Sequence, residues 1–487
     1  MKLRLDLALL AATAAFAGSG TVGRALAAEA KAAEGSLYPP SAAQRDNSPL
    51  AKALGSARYV LDDIGQSEEF RAEIRRAIGI HPVLHQEVSK REEARGHIRS
   101  ERAALYPRLS ASLTGDYVIS RDFDPNTDNV VESLRPDAQF NAGLSVSQLV
   151  FDGGAAFQRI KSAKAHDREE QQSINARVNE LALAALSAYH DLEAHQAILK
   201  LGEEYIARHQ ALLEDVKERE RLGAGTKADV MQATARLAAA RARVSEIRES
   251  MRVAEIRYEE FFKTEPGILS RPSFDAVAVG SRGEASAMAL LHHPEIAAAA
   301  ARSDKAKAEY KAEKASRLPE VRASVNAVKY DLFGNSNGNS DYDVRAGVNM
   351  NYDLYSGGAR GAAIKRAAEL ARQQQFDEDR VRQDVERDAA IAYEKRISAN
   401  ERLDALADSL VANYQARALI AERFRVARGE LIDVLQSEND YFEAGVAYLS
   451  GLADRDMSTY ALMEHTGDLL RYFSPQPEYA NGDAAND

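Results

Sequence analysis

Apolar and polar residues alternate strictly in four stretches of the chain. Leu109, Ala111, Leu113, Gly115, Tyr117 and Ile119 take turns with Ser110, Ser112, Thr114, Asp116 and Ser120. Phe140, Ala142, Leu144, Val146, Gln148 and Val150 do so with Asn141, Gly143, Ser145 and Ser147. Val321, Ala323, Val325 and Ala327 alternate with Arg322, Ser324 and Asn326. Tyr342, Val344, Ala346, Val348, Met350 and Tyr352 alternate with Asp343, Arg345, Asn349, Asn351 and Asp353. A period of two over about ten residues predicts strands with one apolar face. Each pair brackets a polar loop, Arg121 to Arg135 and Gly334 to Ser340, so two strand hairpins are predicted. The strand length suits a tilted membrane crossing in a barrel, with the apolar face on lipid and the polar face in a wet lumen. Tyr117, Phe123, Tyr330, Phe333 and Tyr342 are placed to form an interfacial girdle, although ordinary hairpin aromatics would look the same.

The texture then changes to long runs of Ala, Glu, Arg, Gln and Leu. No proline occurs between Pro136 and Pro266 or between Pro319 and Pro475. Proline in a helix interior costs about 3 kcal/mol, so both windows allow long helices. Asp152 to Glu220 would run roughly 100 Å if continuous. Gly223-Ala224-Gly225 stops it, and Asp229 to Lys263 resumes the same composition. This predicts an antiparallel helical hairpin with its tip at Leu222 to Lys227. Arg360 to Arg423 and Leu431 to Leu470 repeat the plan, with Gly429 at the tip.

The chain is in fact written twice. His81-Pro82 returns as His293-Pro294 and Tyr106-Pro107 as Leu318-Pro319, both 212 residues on (293 against 81, 318 against 106). Phe151-Asp152-Gly153-Gly154 returns as Tyr355-Ser356-Gly357-Gly358, and Asp229-Val230-Met231-Gln232 as Asp433-Val434-Leu435-Gln436, both 204 on (355 against 151, 433 against 229). A unit this long is a duplicated half, not a solenoid repeat. The predicted organisation is a leader over 1–27, an N-terminal periplasmic segment over 28–80, a first repeat over 81–270, a linker over 271–285, a second repeat over 286–470 and a disordered acidic tail over 471–487. The fold class is mainly α with a β-barrel part. Four strands cannot close a barrel, since single-chain barrels begin at eight, and unpaired backbone in lipid is prohibitive. The chain must therefore share its barrel with copies of itself in a closed ring. Two copies would give eight strands and three would give twelve.

Composition narrows the setting. Lys2 and Arg4, the apolar run Leu7 to Ala17 and Ala25-Leu26-Ala27 read as a secretory leader with a small-x-small cleavage site. Its loss would move the formal charge from −11 to about −13, because Lys2, Arg4, Arg24 and Asp6 leave with it. An acidic exported chain is a poor nucleic-acid binder. There is no cysteine, hence no disulfide, thiolate metal site, cysteine nucleophile or lipid-anchor thiol. Tryptophan is absent and aromatics make up 7%, which argues against a large enzyme core. No apolar run of about 20 residues follows the leader, so no transmembrane helix is expected. No phosphate loop, nucleophile elbow or dinucleotide fingerprint is present. The expectation is a non-enzyme without a cofactor, whose transport energy comes from a partner.

On these residues the chain resembles the TolC family of outer-membrane channel-tunnels from about His81 to Leu470. Gln148-Leu149-Val150-Phe151-Asp152-Gly153-Gly154 and Tyr352-Asp353-Leu354-Tyr355-Ser356-Gly357-Gly358 resemble its strand-to-helix turn. Gly223-Ala224-Gly225-Thr226-Lys227-Ala228-Asp229-Val230 resembles the first tip. Arg423-Phe424 through Leu431-Ile432-Asp433-Val434-Leu435-Gln436-Ser437-Glu438-Asn439 resembles the second. The resemblance implies a homotrimer in outer-membrane lipid, with a twelve-stranded barrel continued by a periplasmic α-helical barrel. The second tip is most similar to type I secretion components, whose tract often carries a second aspartate where this chain has Gln436. An inner-membrane ABC transporter and a periplasmic adaptor would be the partners, with a multidrug or metal efflux pump of the RND kind as the alternative. An exported coiled-coil structural protein is the alternative of another class.

The tips carry the candidate chemistry. Three copies of Asp433 would form a ring that favours cations and titrates as a coupled set, with Gln436 weakening its field. A solvated residue favoured by the helix dipole is the plainer reading. By resemblance, Asp229 would help hold the periplasmic entrance closed through an arginine and a tyrosine of the neighbouring hairpin. Phe424 stands at the tyrosine position and cannot make that bond, while Arg425 and Arg428 are close enough in sequence to pair with Asp229 or Asp433. Gly223, Gly225, Thr226 and Gly429 would form turns that expose a docking surface for the adaptor. His292-His293 and His190/His195 lack the i,i+4 spacing of a zinc helix, so no metal site is expected.

Overall fold

The computed structural model describes residues 48–61, 68–120, 138–272, 279–330, 332, 342–426 and 428–474. The leader, the two strand-hairpin loops with Phe123 and Phe333, and the acidic tail from Pro475 lie outside the described residues. The described chain opens with helix α1 (Pro49–Leu54) and a 3-10 turn (Gly55–Leu61). The first half then runs α2 (Glu68–Gly79), α3 (Pro82–Ala103), β1 (Arg108–Tyr117), β2 (Ala138–Phe151), α4 (Ala155–Arg221) and α5 (Lys227–Phe262). The second half runs α6 (Arg282–His292), α7 (Pro294–Ala315), β3 (Glu320–Lys329), β4 (Tyr342–Asn351), α8 (Ala359–Arg425) and α9 (Leu431–Thr466), followed by a short α10 (Asp468–Phe473). Helices α4 and α8 each have 67 residues, α5 and α9 each have 36, and α3 and α7 each have 22. At 1.5 Å per residue the longest pair spans about 100 Å.

One feature adds to the sequence reading and another departs from it. Residues 68–103 and 282–315 are largely helical, and the recurring His-Pro is the start signal for α3 and α7. In each, proline takes the first helical position and the histidine Nδ1 accepts a backbone N–H at 3.3 Å, from Val83 and from Glu295. The helix expected to run from Leu431 to Leu470 stops at Thr466, because Gly467 adopts φ +79° and turns the chain into α10.

The four strands form one antiparallel sheet in the order β1-β2-β3-β4. Its register extends the alternation across the sheet. Leu109, Val146, Val325 and Ala346 form one apolar row, and Ser110, Ser145, Asn326 and Arg345 form the polar row beside it. The apolar face is bare in the single chain: Leu113 is 64% exposed, Val348 69% and Met350 69%. An apolar sheet face of this extent needs a cover, and β1 and β4 each pair on one side only. Among the described residues no helix is long and apolar enough to cross a membrane.

Asp152-Gly153-Gly154 converts strand into helix. Both glycines have positive φ, +70° and +85°, and the Asp152 carboxylate accepts the N–H groups of Gly154 (3.0 Å) and Ala156 (2.6 Å). Gly153 has a second constraint, since a Cβ there would meet the Ala315 carbonyl at 2.9 Å. In the second copy Gly357 and Gly358 keep the conformation, and Ser356 Oγ accepts the Arg360 N–H at 3.3 Å.

The helices pack on two main cores. One joins Phe70, Ile74 and Ile78 of α2 to Leu186 and Tyr189 of α4, Phe262 of α5, Tyr460 of α9 and Phe473 of α10. The other buries Ala53, Leu54, Ala57 and Val60 of the N-terminal segment against α4, α8 and α9. Within the N-terminal segment expected over 28–80, residues 49–61 therefore pack on the hairpins. Tyr441 Oη donates to the Ala53 carbonyl at 2.6 Å, and the Ser56 N–H donates to Glu204 at 2.7 Å.

Candidate functional site

The hairpin tips lie side by side. At the first, Gly223 takes φ +78°, and the N–H groups of Gly223 and Ala224 close on the carbonyls of Glu220 and Arg219. Gly225 is held close to the end of α4, where a Cβ would meet the Glu220 nitrogen at 3.2 Å. Thr226 then starts α5 with a reciprocal capping box. Asp229 N–H donates to Thr226 Oγ1 (3.2 Å), and Asp229 Oδ2 accepts from Thr226 N–H (2.9 Å) and Oγ1–H (2.8 Å). Those bonds from the Thr226 backbone and hydroxyl hold the Asp229 carboxyl below the ordinary aspartate range. Asp229 is thus committed within its own hairpin.

The second tip departs from this pattern. Glu430 stands where the first tip has Thr226, 204 residues on (430 against 226), and makes no side-chain cap. Its longer, like-charged side chain cannot reciprocate with an aspartate. Asp433 is exposed, and among the described residues its carboxylate has no hydrogen-bond or ion-pair partner. It lines a cleft with Ile420, Arg423, Gly429, Gln436, Ser437 and Asp440. Gln436 Nε2 donates to Asp440 Oδ1 at 2.7 Å, so the position that lacks an aspartate carries an amide tied to the next one. Gly429 packs on the end of α8, where a Cβ would meet the Phe424 nitrogen at 3.2 Å.

Within one chain, Arg425 pairs with Glu422 of its own helix (3.5 Å), and neither Arg425 nor Arg428 meets Asp229 or Asp433. The contact that joins the tips is one the sequence did not single out. Arg219, near the end of α4, lays its guanidinium over the Phe424 ring at 4.1 Å and donates from Nη2 to the Phe424 carbonyl at 3.1 Å. Phe424 loses the hydroxyl bond of a tyrosine but keeps a π face for a cation. Val216, Leu431 and Leu435 pack beneath it with Leu212 and Val230.

Above the tips, Glu438 is largely buried. Burial raises its carboxyl above the usual range, and Arg417 and Arg208 oppose that shift from 3.6 and 3.9 Å. Arg417 also lies over the Tyr441 ring at 4.2 Å, and Tyr205 Oη donates to Asn439 at 3.3 Å. The Glu438-Asn439 pair thus links α9 to α4 and α8. His190 and His195 do not converge: His190 sits between Glu193 (3.1 Å) and Tyr460 (3.2 Å), and His195 meets the Asp191 carbonyl (2.7 Å). The tips offer a turn-built end surface, an uncommitted carboxylate and an inter-hairpin clasp.

Residues 74–259 and 285–468 match a family model described as outer membrane efflux protein. Outer membrane efflux protein BepC of Brucella suis biovar 1 is 25% identical over 355 residues, covering 73% of this chain and 76% of its own. Alkaline protease secretion protein AprF of Pseudomonas aeruginosa is 24% identical over 380 residues, 74% of this chain and 77% of its own. The crystal structure of the Campylobacter jejuni CmeC outer membrane channel superposes with a TM-score of 0.71 at 13% identity, covering 87% of each chain.

Proposed function

The chain belongs to the outer membrane efflux protein family, and from that premise we propose that it is the outer-membrane channel of a type I secretion system. It is an outer-membrane protein and a passive channel, not an enzyme. Channels of this family work with periplasmic adaptors and inner-membrane transporters. Here the partners would be an ABC transporter and an adaptor that docks at Gly223, Gly225, Thr226 and Gly429. Three copies would complete a twelve-stranded barrel from the open edges β1 and β4 and bring three Asp433 carboxylates together as the constriction. The cargo is a protein passed through unfolded.

The observation that carries the protein-export reading is the likeness, over 74% of the chain, to a protein named for protease secretion. The second-tip tract Leu431 to Asn439 supports it. Efflux of small molecules is the second reading, favoured by the name of BepC. A coiled-coil scaffold leaves the two-faced sheet unexplained. Deleting the gene and comparing the secreted proteins with a drug-sensitivity panel separates the readings. Loss of a secreted protein at unchanged drug tolerance is expected; drug hypersensitivity with an intact secretome sinks protein export.

A further inference from the structure

The two halves part where each pair of long helices returns to its His-Pro turn. In the first half the His81 ring stacks on Phe261, centroids 5.4 Å apart and planes at 23°. Glu260 and Lys263 lie near enough to act on its charge. The residues 204 positions on (464 against 260, 465 against 261, 467 against 263) are Glu464, His465 and Gly467, and the counterpart of His81 is His293. The carboxylate is kept, the apolar ring becomes a second imidazole, and the protein's own cation becomes a glycine.

That glycine has a structural consequence. At φ +79° a Cβ on Gly467 would lie 2.8 Å from the His292 carbonyl oxygen. Its absence lets the α6–α7 junction close on the end of α9. One potential ligand atom from each of His293, Glu464 and His465 then lies within 4.8 Å of the other two. His293 is 8% exposed, and His465 Nδ1 is 3.1 Å from Glu464 Oε2. Among the described residues no lysine or arginine comes within ion-pair distance of Glu464, while the carboxylates of Glu295, Glu180 and Asp388 act on it. A second cluster, His166, Glu169 and Glu170, differs in this respect, because Arg302 (3.0 Å) and Lys305 (3.5 Å) already reach Glu169.

We propose that His293, His465 and Glu464 bind one divalent transition-metal cation, for which zinc is the reference ion. Two imidazoles and a carboxylate suit a borderline ion. The nearby Glu180 and Asp388 are already paired with Arg177 and Arg387, whereas Glu464 has no lysine or arginine of its own among the described residues. The bound ion ties the α6–α7 junction to the end of α9, a connection the first half makes with an aromatic stack. Binding has a definite cost. His293 Nδ1 accepts the Glu295 N–H at 3.3 Å, which places the neutral ring's proton on Nε2. A metal at Nε2 moves that proton to Nδ1, and α7 gives up a long, weak cap. This inference does not rest on the nature of the cargo.

The test uses the full chain purified in detergent without a histidine tag, stripped by chelator and dialysed against micromolar zinc. Elemental analysis is expected to find about one zinc per chain, with a zinc-dependent rise in thermal midpoint, as for a three-residue protein site. His465→Phe installs the residue the first half packs at the same place, and it should fold and lose the metal. Glu464→Gln preserves shape and should weaken binding by about tenfold or more. A wild-type chain that retains no zinc, or either variant binding it as the wild type does, overturns the proposal.

Discussion

Both tips are built on one frame, a 67-residue helix, a short turn and a 36-residue helix, yet the matching aspartates have different fates. Asp229 is taken up by Thr226. Asp433 has Glu430 at the matching cap position instead, with no side-chain cap, and stays uncommitted. The ends of the short helices share a left-handed, hydrogen-bonded cap but differ in residue: α5 stops on Lys263 at φ +57°, and α9 stops on Gly467 at φ +79°. The two copies share the backbone plan but differ in local bonds: the first tip engages its aspartate in a capping box, and the second has no side-chain cap.

The sharpest test of this comparison is to exchange the helix ends. Gly467→Ala should destabilise the fold by about 2–3 kcal/mol, combining left-handed strain with the contact to the His292 carbonyl. Lys263→Gly at the matching place should be neutral or stabilising by up to about 1 kcal/mol. Denaturant or thermal midpoints of the detergent-solubilised chain check both signs. Equal losses at the two sites would break the comparison.

Next in size is the clasp. Arg219→Ala should remove about 1 kcal/mol of tip-to-tip attraction and raise the resting conductance in planar bilayers. Phe424→Tyr should keep the cation–π contact and change conductance little. Similar in size is the cap. Thr226→Ala should cost α5 about 1 kcal/mol, and Glu430→Thr should give α9 a cap of similar worth while engaging Asp433. Cation selectivity should fall in Glu430→Thr and hold in Thr226→Ala.

The smallest effect is a pH dependence confined to the first tip. Asp229 has a depressed folded-state pKa, so its contribution is fully present above the unfolded aspartate value near 4 and is lost as pH falls through the lower folded value. Hydrogen exchange at the start of α5 should therefore quicken under acid. Asp229→Asn should flatten that response, and an unchanged profile in the variant would remove Asp229 as its source.

Local patterns were legible because strand and helix periods are written in neighbouring residues. All four strands, both long hairpins and both tips lie where alternation, proline spacing and glycine placed them. The helices at 68–103 and 282–315 fall outside the two long proline-free windows: each stretch contains a proline, Pro82 or Pro294, and α2 and α6 are only 12 and 11 residues long. The Arg219–Phe424 clasp was missed because its partners lie 205 positions apart, and no periodicity reports such a contact.

The duplicated plan, the two-faced strands, the length of the helices and the aspartate at each tip are written in the order of residues along the chain. Tertiary structure decided which of those residues are already engaged. Whether Asp433 is capped, what lies over Phe424 and whether His293 meets His465 depend on side chains brought together by helix packing. A linear pattern fixes the face a residue occupies, but the neighbour across that face is chosen by the fold.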